Sequence, residues 1–298
     1  MQYMLCAICG KDQQPQLLYN ATLTGKNISA KTFSARRNPD KVHYQLNKCK
    51  KCGLIFSSPI FPSEKIINLY TESFLSYQNK VSFVTKTYLG LFNGLIKGLP
   101  NEPSILEIGC GDGFFLKALH EKGFNKLYGV EPSKKMVEAV PHKLRRNVKQ
   151  SIFRKGLFPK NSFNIICCFH TLDHVIDPNE LVKETYELLK VYGLALFVLH
   201  NTNAFSVKLF GEKSPIFDIE HIYLFNKVTI TKLFKKHGFT IISIDDLRNT
   251  YPISYWVQMA GIPFGIKSFA IKLLLLTKLS NLPFSLKGGN MYIVAQKE

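Results

Sequence analysis

The 298-residue chain is short of acidic residues: 21 Asp and Glu stand against 39 Lys and Arg, a formal net charge of +18. That imbalance favours anionic partners such as nucleic acid, phosphorylated small molecules or a membrane surface. Many of the lysines sit beside Asn and Ile, which equally fits a plain solvated face. The chain also lacks a long apolar run. Its longest, around Leu273–Leu276, is flanked by Lys272 and Lys278 and falls well short of the roughly 20 residues that span a bilayer. The opening residues, MQYMLCAICG, show no basic stretch followed by an apolar one, so no secretory leader is expected. No disulfide framework is legible either. Of seven cysteines, four form two C-x-x-C pairs, and Cys110, Cys167 and Cys168 lie in apolar, strand-like runs. Such usage fits a metal site in a reducing compartment, so a cytoplasmic location is expected. What remains is 46% hydrophobic and 20% charged residues, enough for a real core in one large or two modest domains.

The stretch "ILEIGCGDGFF" (105–115) reads as a buried strand, a tight glycine turn and the start of a helix at Phe114–His120. The glycines Gly109, Gly111 and Gly113 are spaced G-x-G-x-G. A dinucleotide fingerprint needs glycine at 114, where this chain has Phe114. A second apolar run, Lys126–Val130, ends at Glu131, 22 residues after Gly109. A carboxylate so placed accepts hydrogen bonds from ribose hydroxyls. Glu107 precedes the first glycine. It repels a pyrophosphate but suits the cationic ammonium of S-adenosylmethionine (SAM).

On these residues the stretch resembles motif I of the class I SAM-dependent methyltransferases. The rest of the chain resembles the family from about residue 70 to 298. "SFNIICCFHTLDHVIDPNE" (162–180) is similar to the fourth strand and its exit loop, with strand Phe163–Phe169 and Asp177-Pro178-Asn179-Glu180 as a capping box. Helix Glu180–Lys190, strand Leu194–Leu199, helix Val228–His237, strand Thr240–Ile244 and a final antiparallel strand 290–296 are expected to follow. The resemblance implies an α/β, Rossmann-like seven-stranded sheet that binds SAM through Glu107, Gly109, Cys110, Gly111, Gly113, Glu131, Pro132 and His170. Adenine is expected against backbone near Ser151 and Ile152, because no acidic residue stands in "NVKQSIFRK".

"CAICG" (6–10) and "CKKCG" (49–53) are two knuckles that offer Cys6, Cys9, Cys49 and Cys52. Four thiolates suit a closed tetrahedral structural Zn²⁺, with a redox or iron–sulfur site as the rival. Between Cys6 and Cys52 there are nine Lys/Arg and two Asp/Glu, which fits either a nucleic-acid-binding ribbon or a scaffold flanking a site. The continuation "KCKKCGLIFSSPIFPSEKIINLYTESF" resembles the linker of bacterial zinc-ribbon methyltransferases, including those acting on sugars and surface-polysaccharide precursors. A zinc-ribbon domain over 1–70 and a methyltransferase domain over 71–298 are therefore expected.

"FDIEHIYLFN" (217–226) places Glu220 and His221 where this fold's acceptor loop runs. In the resembling sugar C-methyltransferases a Tyr-x-Glu-His stretch supplies the base; here the Tyr position is Asp218. His221 is the expected proton acceptor and Glu220 its partner, with His170 and His174 as the other candidates. The apolar insertion 251–289 reads as a lid, a homodimer contact or a peripheral membrane surface. The expected function is methyl transfer to a sugar, nucleotide-sugar or lipid-linked glycan precursor. The alternative is an rRNA or tRNA methyltransferase that binds through its basic ribbon. Against it, the stretch after the fourth strand is "FHTLDH" rather than (Asp/Asn/Ser)-Pro-Pro-aromatic.

Overall fold

A computed structural model describes the chain except residues 11–14, 24–27, 30, 31, 34–40, 74–80 and 261. Part of the spacer between the two cysteine pairs lies outside the described residues. In chain order the elements are β1 (Gln16–Tyr19), β2 (Leu46–Lys48), β3 (Ile55–Ser57), α1 (Ser63–Thr71), α2 (Val81–Asn93), β4 (Ile105–Ile108), α3 (Phe114–Glu121), β5 (Leu127–Glu131), α4 (Lys134–Ala139), α5 (His142–Arg145), β6 (Val148–Gln150) and β7 (Phe163–Phe169). Then come α6 (Pro178–Leu188), β8 (Leu189–His200), α7 (Phe205–Phe210), β9 (Tyr223–Leu224), α8 (Lys227–Lys236), β10 (Thr240–Asp246), β11 (Asn249–Pro252), α9 (Ile253–Met259), α10 (Phe264–Leu276), β12 (Pro283–Leu286) and β13 (Asn290–Gln296).

Seven strands form the main sheet in the order β10-β13-β8-β7-β4-β5-β6. β4, β5, β6, β7 and β8 pair in parallel, and β13 runs antiparallel to both β8 and β10. Parallel strands covered by helices on both faces must be apolar on both sides. β4 and β7 show this: alternate residues enter opposite cores. Ile105, Ile165 and Cys167 pack with Val84, Phe92 and Phe115. Leu106, Ile108, Ile166 and Cys168 face Leu181, Phe197 and Ile230.

Several boundaries differ from the sequence reading. β8 begins at Leu189 rather than Leu194, and Gly193 lies inside it. Leu189 pairs with Phe163, a register shift follows, and Tyr192 has φ 63°. A bulge therefore carries the strand past the residue that reads as its start. Asp177 caps α6 by accepting from the backbone N–H groups of Asn179 and Glu180. The reciprocal box forms instead at α8, between Asn226 and Thr229.

A second sheet has the order β1-β2-β3-β9. Its first three strands come from the cysteine-bearing N-terminal part, and β9 comes from the loop after β8. Ile55 pairs with Leu224 and Phe56 with Tyr223. Cys6, Leu54, Phe56 and Ile60 share one buried cluster with Leu181 and Phe225. A boundary at 70/71 thus cuts across a shared sheet and a shared core. The insertion forms its own hairpin: β11 pairs with β12, and α9 and α10 fill the connection.

Candidate active site and cysteine cluster

At the C-terminal ends of β4, β5, β7 and β8 the chain opens into one cavity of about 870 Å³. That is large for a small-molecule site, for which roughly 300–1,000 Å³ is usual. One end is built by the glycine turn. Gly109 has φ 72°, and a Cβ there would sit 2.2 Å from the Thr171 hydroxyl oxygen, so no side chain fits. Gly111 has φ 55° and nothing within 4 Å of a Cβ: its open side faces the cavity. Gly113, also left-handed, precedes α3.

Glu131 ends β5 and is buried. Its carboxylate accepts from the N–H groups of Gly111, at 3.0 Å, and Ser133, at 2.9 Å. A carboxylate has about four acceptor positions, so capacity remains for further donors. Burial pushes its pKa up, against the pull of those two N–H groups. Glu107, Pro132, Ser151, Ile152 and His170 line the same cavity. The Cys110 thiol does not belong to this wall in the way its neighbours do. It is buried against Gly129, where a Cβ would meet the sulfur at 2.7 Å, and burial raises it well above the usual thiol range. Cys110 is left to contribute through its backbone.

On the loop after β7, Asp173 gathers three histidines. Its carboxylate lies 2.5 Å from His200 Nδ1, 3.8 Å from His174 Nε2 and 3.9 Å from His221 Nε2. Burial raises the Asp173 pKa, but the neighbouring imidazoles, His200 foremost, outweigh it and hold the group well below the usual carboxylate range. His221 Nδ1 is 2.7 Å from the Ile216 carbonyl. A carbonyl only accepts, so Nδ1 carries the proton and Nε2 keeps its lone pair. Burial, reinforced by His200, drives the His221 pKa well below 6.5 although the Asp173 charge opposes it. His221 is therefore a neutral imidazole at pH 7 with its basic nitrogen turned toward the Asp173 carboxylate.

The loop that carries His221 is pinned from the N-terminal side. Ser57 Oγ donates to the His221 carbonyl at 2.8 Å, and Ser57 N–H donates to the Ile222 carbonyl at 2.8 Å. The Tyr70 hydroxyl donates to the Glu220 carbonyl at 3.3 Å and lies 3.1 Å from His174 Nδ1. Glu220 is buried and lines the cavity with Asp218. Sequence reasoning missed Tyr70, Asp173 and His200 as site residues. His200 carried a signal, since it ends β8 beside the exits of β4 and β7. Tyr70 stands in the linker stretch that carries the zinc-ribbon resemblance, but its partners are more than 100 residues away in the chain, so its place in the site is a tertiary fact.

Cys6, Cys9, Cys49 and Cys52 converge, with sulfurs within 4.8 Å of one another and Cys6 and Cys52 at 3.4 Å. A tetrahedral zinc with Zn–S of about 2.3 Å needs sulfurs roughly 3.8 Å apart, so the set fits. Burial raises the Cys49 pKa, but N–H groups of Cys52 and Lys51 and the thiols of Cys52 and Cys6 outweigh it and bring the group down to about 7. Two further trios, His170–Asp173–His200 and Asp173–His174–His221, also hold their ligand atoms within 4.8 Å.

The reversed last strand, the glycine turn closing the first parallel strand and the acid ending the next define the class I SAM-dependent methyltransferase fold. A family profile described as "Methyltransferase domain" matches residues 80–244, more than half of the chain, and this chain belongs to that family. Relatives are more distant. The ubiquinone biosynthesis O-methyltransferase of Coxiella burnetii is 28% identical over 104 residues, 33% of this chain and 44% of that protein. The tRNA U34 carboxymethyltransferase of Helicobacter pylori is 27% identical over 158 residues, 50% and 60% of the two chains. The chain thus spans less than two thirds of either relative's length. Among solved structures, a chain of the complex between the Haloferax volcanii Trm112 methyltransferase activator and a methyltransferase is similar in fold. Its TM-score is 0.52 at 13% identity, over 74% of this chain and 94% of that one.

Proposed function

We propose that this chain transfers a methyl group from SAM to a hydroxyl of a small acceptor, with His221 Nε2 taking the proton. The observation that carries this reading is the fixed tautomer of His221, a residue that lines the cavity opened by the glycine turn and whose unprotonated Nε2 lies 3.9 Å from the Asp173 carboxylate. Bound SAM would supply a methyl made electrophilic by its sulfonium. Glu131 and the backbone of the glycine turn would hold its ribose and methionine parts, and Glu107 would face its ammonium. On transfer the S–CH₃ bond would break and an O–CH₃ bond would form, leaving a neutral thioether, while His221 would take the hydroxyl proton. Asp173 stabilises the imidazolium that results, and His200 keeps Asp173 ionised. Glu220 orients the acceptor from the same loop. A sugar, nucleotide-linked sugar or lipid-linked glycan precursor supplies such a hydroxyl, a choice supported by the resemblance of the cysteine-bearing linker. The four cysteines would hold a structural zinc, since four sulfurs leave no open position for chemistry.

The second reading, methylation of tRNA or rRNA, is favoured by the +18 charge and by the match to the H. pylori tRNA enzyme. Labelled methyl from SAM, followed by mass spectrometry of the products, separates the two. Label is expected in the sugar-nucleotide or glycan-lipid fraction; label confined to tRNA or rRNA would overturn the first reading.

Glu131→Ala is expected to weaken SAM binding by about 1.5–3 kcal/mol, the scale of a hydrogen bond to a charged group. Calorimetry measures it, and unchanged affinity removes Glu131 from the ribose role. Because burial raises this carboxyl in the free protein, the ionised acceptor is present above the raised pKa and lost below it. SAM affinity should therefore begin to fall, on acidification, at a pH above the 4.5 of an ordinary glutamate.

A further inference from the structure

We infer that the 249–286 hairpin seats this protein on the surface of an anionic phospholipid bilayer, with the mouth of the cavity turned toward the lipid. The inference is independent of which hydroxyl is methylated. α10 is the starting point. It buries none of its residues, yet nine of its thirteen are Phe, Ile, Leu or Ala. Ile266, Phe269, Leu273 and Leu276 follow a 3-4-3 spacing and so form one stripe. They are 59%, 69%, 51% and 82% exposed. A helix packed on a core turns such a stripe inward; here it faces out.

The exposed face continues beyond the helix. Leu279, Leu282 and Phe284 are exposed on the return to β12. Tyr251, Tyr255 and Trp256 cluster beneath them with ring centroids 4.2–5.9 Å apart, and Trp256 Nε1 donates to the Phe284 carbonyl. Tyrosine and tryptophan, apolar at one end and polar at the other, are the residues that settle at a headgroup boundary.

Charge identifies the occupant. From Leu247 to Gly289 the chain carries Arg248, Lys267, Lys272, Lys278 and Lys287 and no Asp or Glu. Lys272, Lys278 and Arg248 are exposed, and Lys287, also exposed, pairs with Asp245 just outside this span. An apolar stripe flanked by cations and free of acids matches an anionic bilayer, which accepts both features at once. A second copy of the chain would bring the same cations against themselves. The helix lies on the membrane rather than through it: thirteen residues give roughly 20 Å of rise, and among the described residues no helix is long and apolar enough to cross.

The same hairpin roofs the active cavity. Tyr255, Trp256, Met259 and Leu286 line it, and so do Phe205 and Leu209 of α7. Phe205, Leu209 and Leu286 are exposed as well, at 68%, 59% and 37%. The rim of the cavity and the exposed apolar face are therefore one surface. An acceptor with a lipid tail enters the cavity from the bilayer without passing through water.

Vesicle co-sedimentation of the 298-residue chain tests this, with phosphatidylcholine vesicles made with and without phosphatidylglycerol. Binding is expected to require phosphatidylglycerol and to weaken as salt rises. Phe269→Ser/Leu273→Ser/Leu276→Ser should reduce partitioning by at least about tenfold, since burial of even one large apolar side chain accounts for that much. Lys272→Gln/Lys278→Gln should reduce it by about fivefold for each lysine. All these side chains are exposed and distant from the glycine turn, so unchanged SAM affinity in both variants verifies the fold. Wild-type protein that ignores anionic vesicles, or a triple serine variant that binds them as well as wild type, overturns the inference. So does a wild-type dimer that the triple variant dissociates while vesicle binding is nil, because a second copy then covers the face.

Discussion

His221→Asn is expected to lower kcat by roughly 10²–10⁴-fold, the range for loss of a positioned general base, while SAM affinity stays near the wild-type value. Asparagine keeps an N–H for the Ile216 carbonyl, so the loop is retained and only the basic nitrogen is lost. The pH profile gives the same test a second readout. Burial holds the His221 pKa well below 6.5, so the base is neutral and competent throughout the neutral range. The rate should be flat from neutral pH down past 6.5 and fall only on further acidification. Stability has the same sign. The unfolded chain binds the His221 proton below 6.5 and the folded chain does not, so stability is full above 6.5 and is lost as pH falls. Full turnover by His221→Asn on the true acceptor would move the base to His174, which faces the same carboxylate. Turnover that rises with added Mg²⁺ or Mn²⁺ would instead recast the Asp173 cluster as a cation site.

The second large effect concerns the metal. Cys49→Ser is expected to leave less than one zinc per chain by elemental analysis, against one in wild type. Structural zinc contributes on the order of 10 kcal/mol to a small domain that folds around it, so the N-terminal sheet should lose its order. The glycine turn, built from β4 and α3, should still bind SAM. Methyl transfer should nonetheless disappear, because β9 loses its partner strand and the His221 loop loses Ser57. Wild-type protein free of metal with an intact N-terminal sheet would sink the zinc assignment. A zinc-free variant that retains turnover would sink the coupling between sheet and loop.

The nucleotide-binding half was legible because its signals are local. Ile105–Ile108, Phe163–Phe169 and 290–296 are mostly apolar runs, and they became β4, β7 and β13 with the expected limits. The glycines and Glu131 lie 22 or fewer residues apart, so one strand–turn–helix–strand unit displays them together. Both C-x-x-C pairs were legible for the same reason, although their convergence across the long spacer is a tertiary fact. The acceptor end was legible only in part. Glu220 and His221 stood out through resemblance, but the carboxylate beside His221, Asp173, lies on a different loop, after β7. His200 reaches Asp173 from a strand end and Tyr70 reaches His174 from a helix end, and their meeting depends on how the two sheets dock. The start of β8 was misread because a glycine suggests a boundary, whereas here a bulge absorbs it.

The shared strand β9 also sets a schedule for synthesis. Ser57 and the His221 that it holds are 164 residues apart in the chain. A ribosome adding roughly 5–20 residues per second needs on the order of ten to thirty seconds to make the missing strand after β3 has emerged. During that interval β3 is an open sheet edge, the kind of template that recruits stray strands from other chains. The nascent protein is therefore most prone to aggregation midway through translation. Slow codons ahead of β9 should lower the soluble yield more than slow codons placed after it.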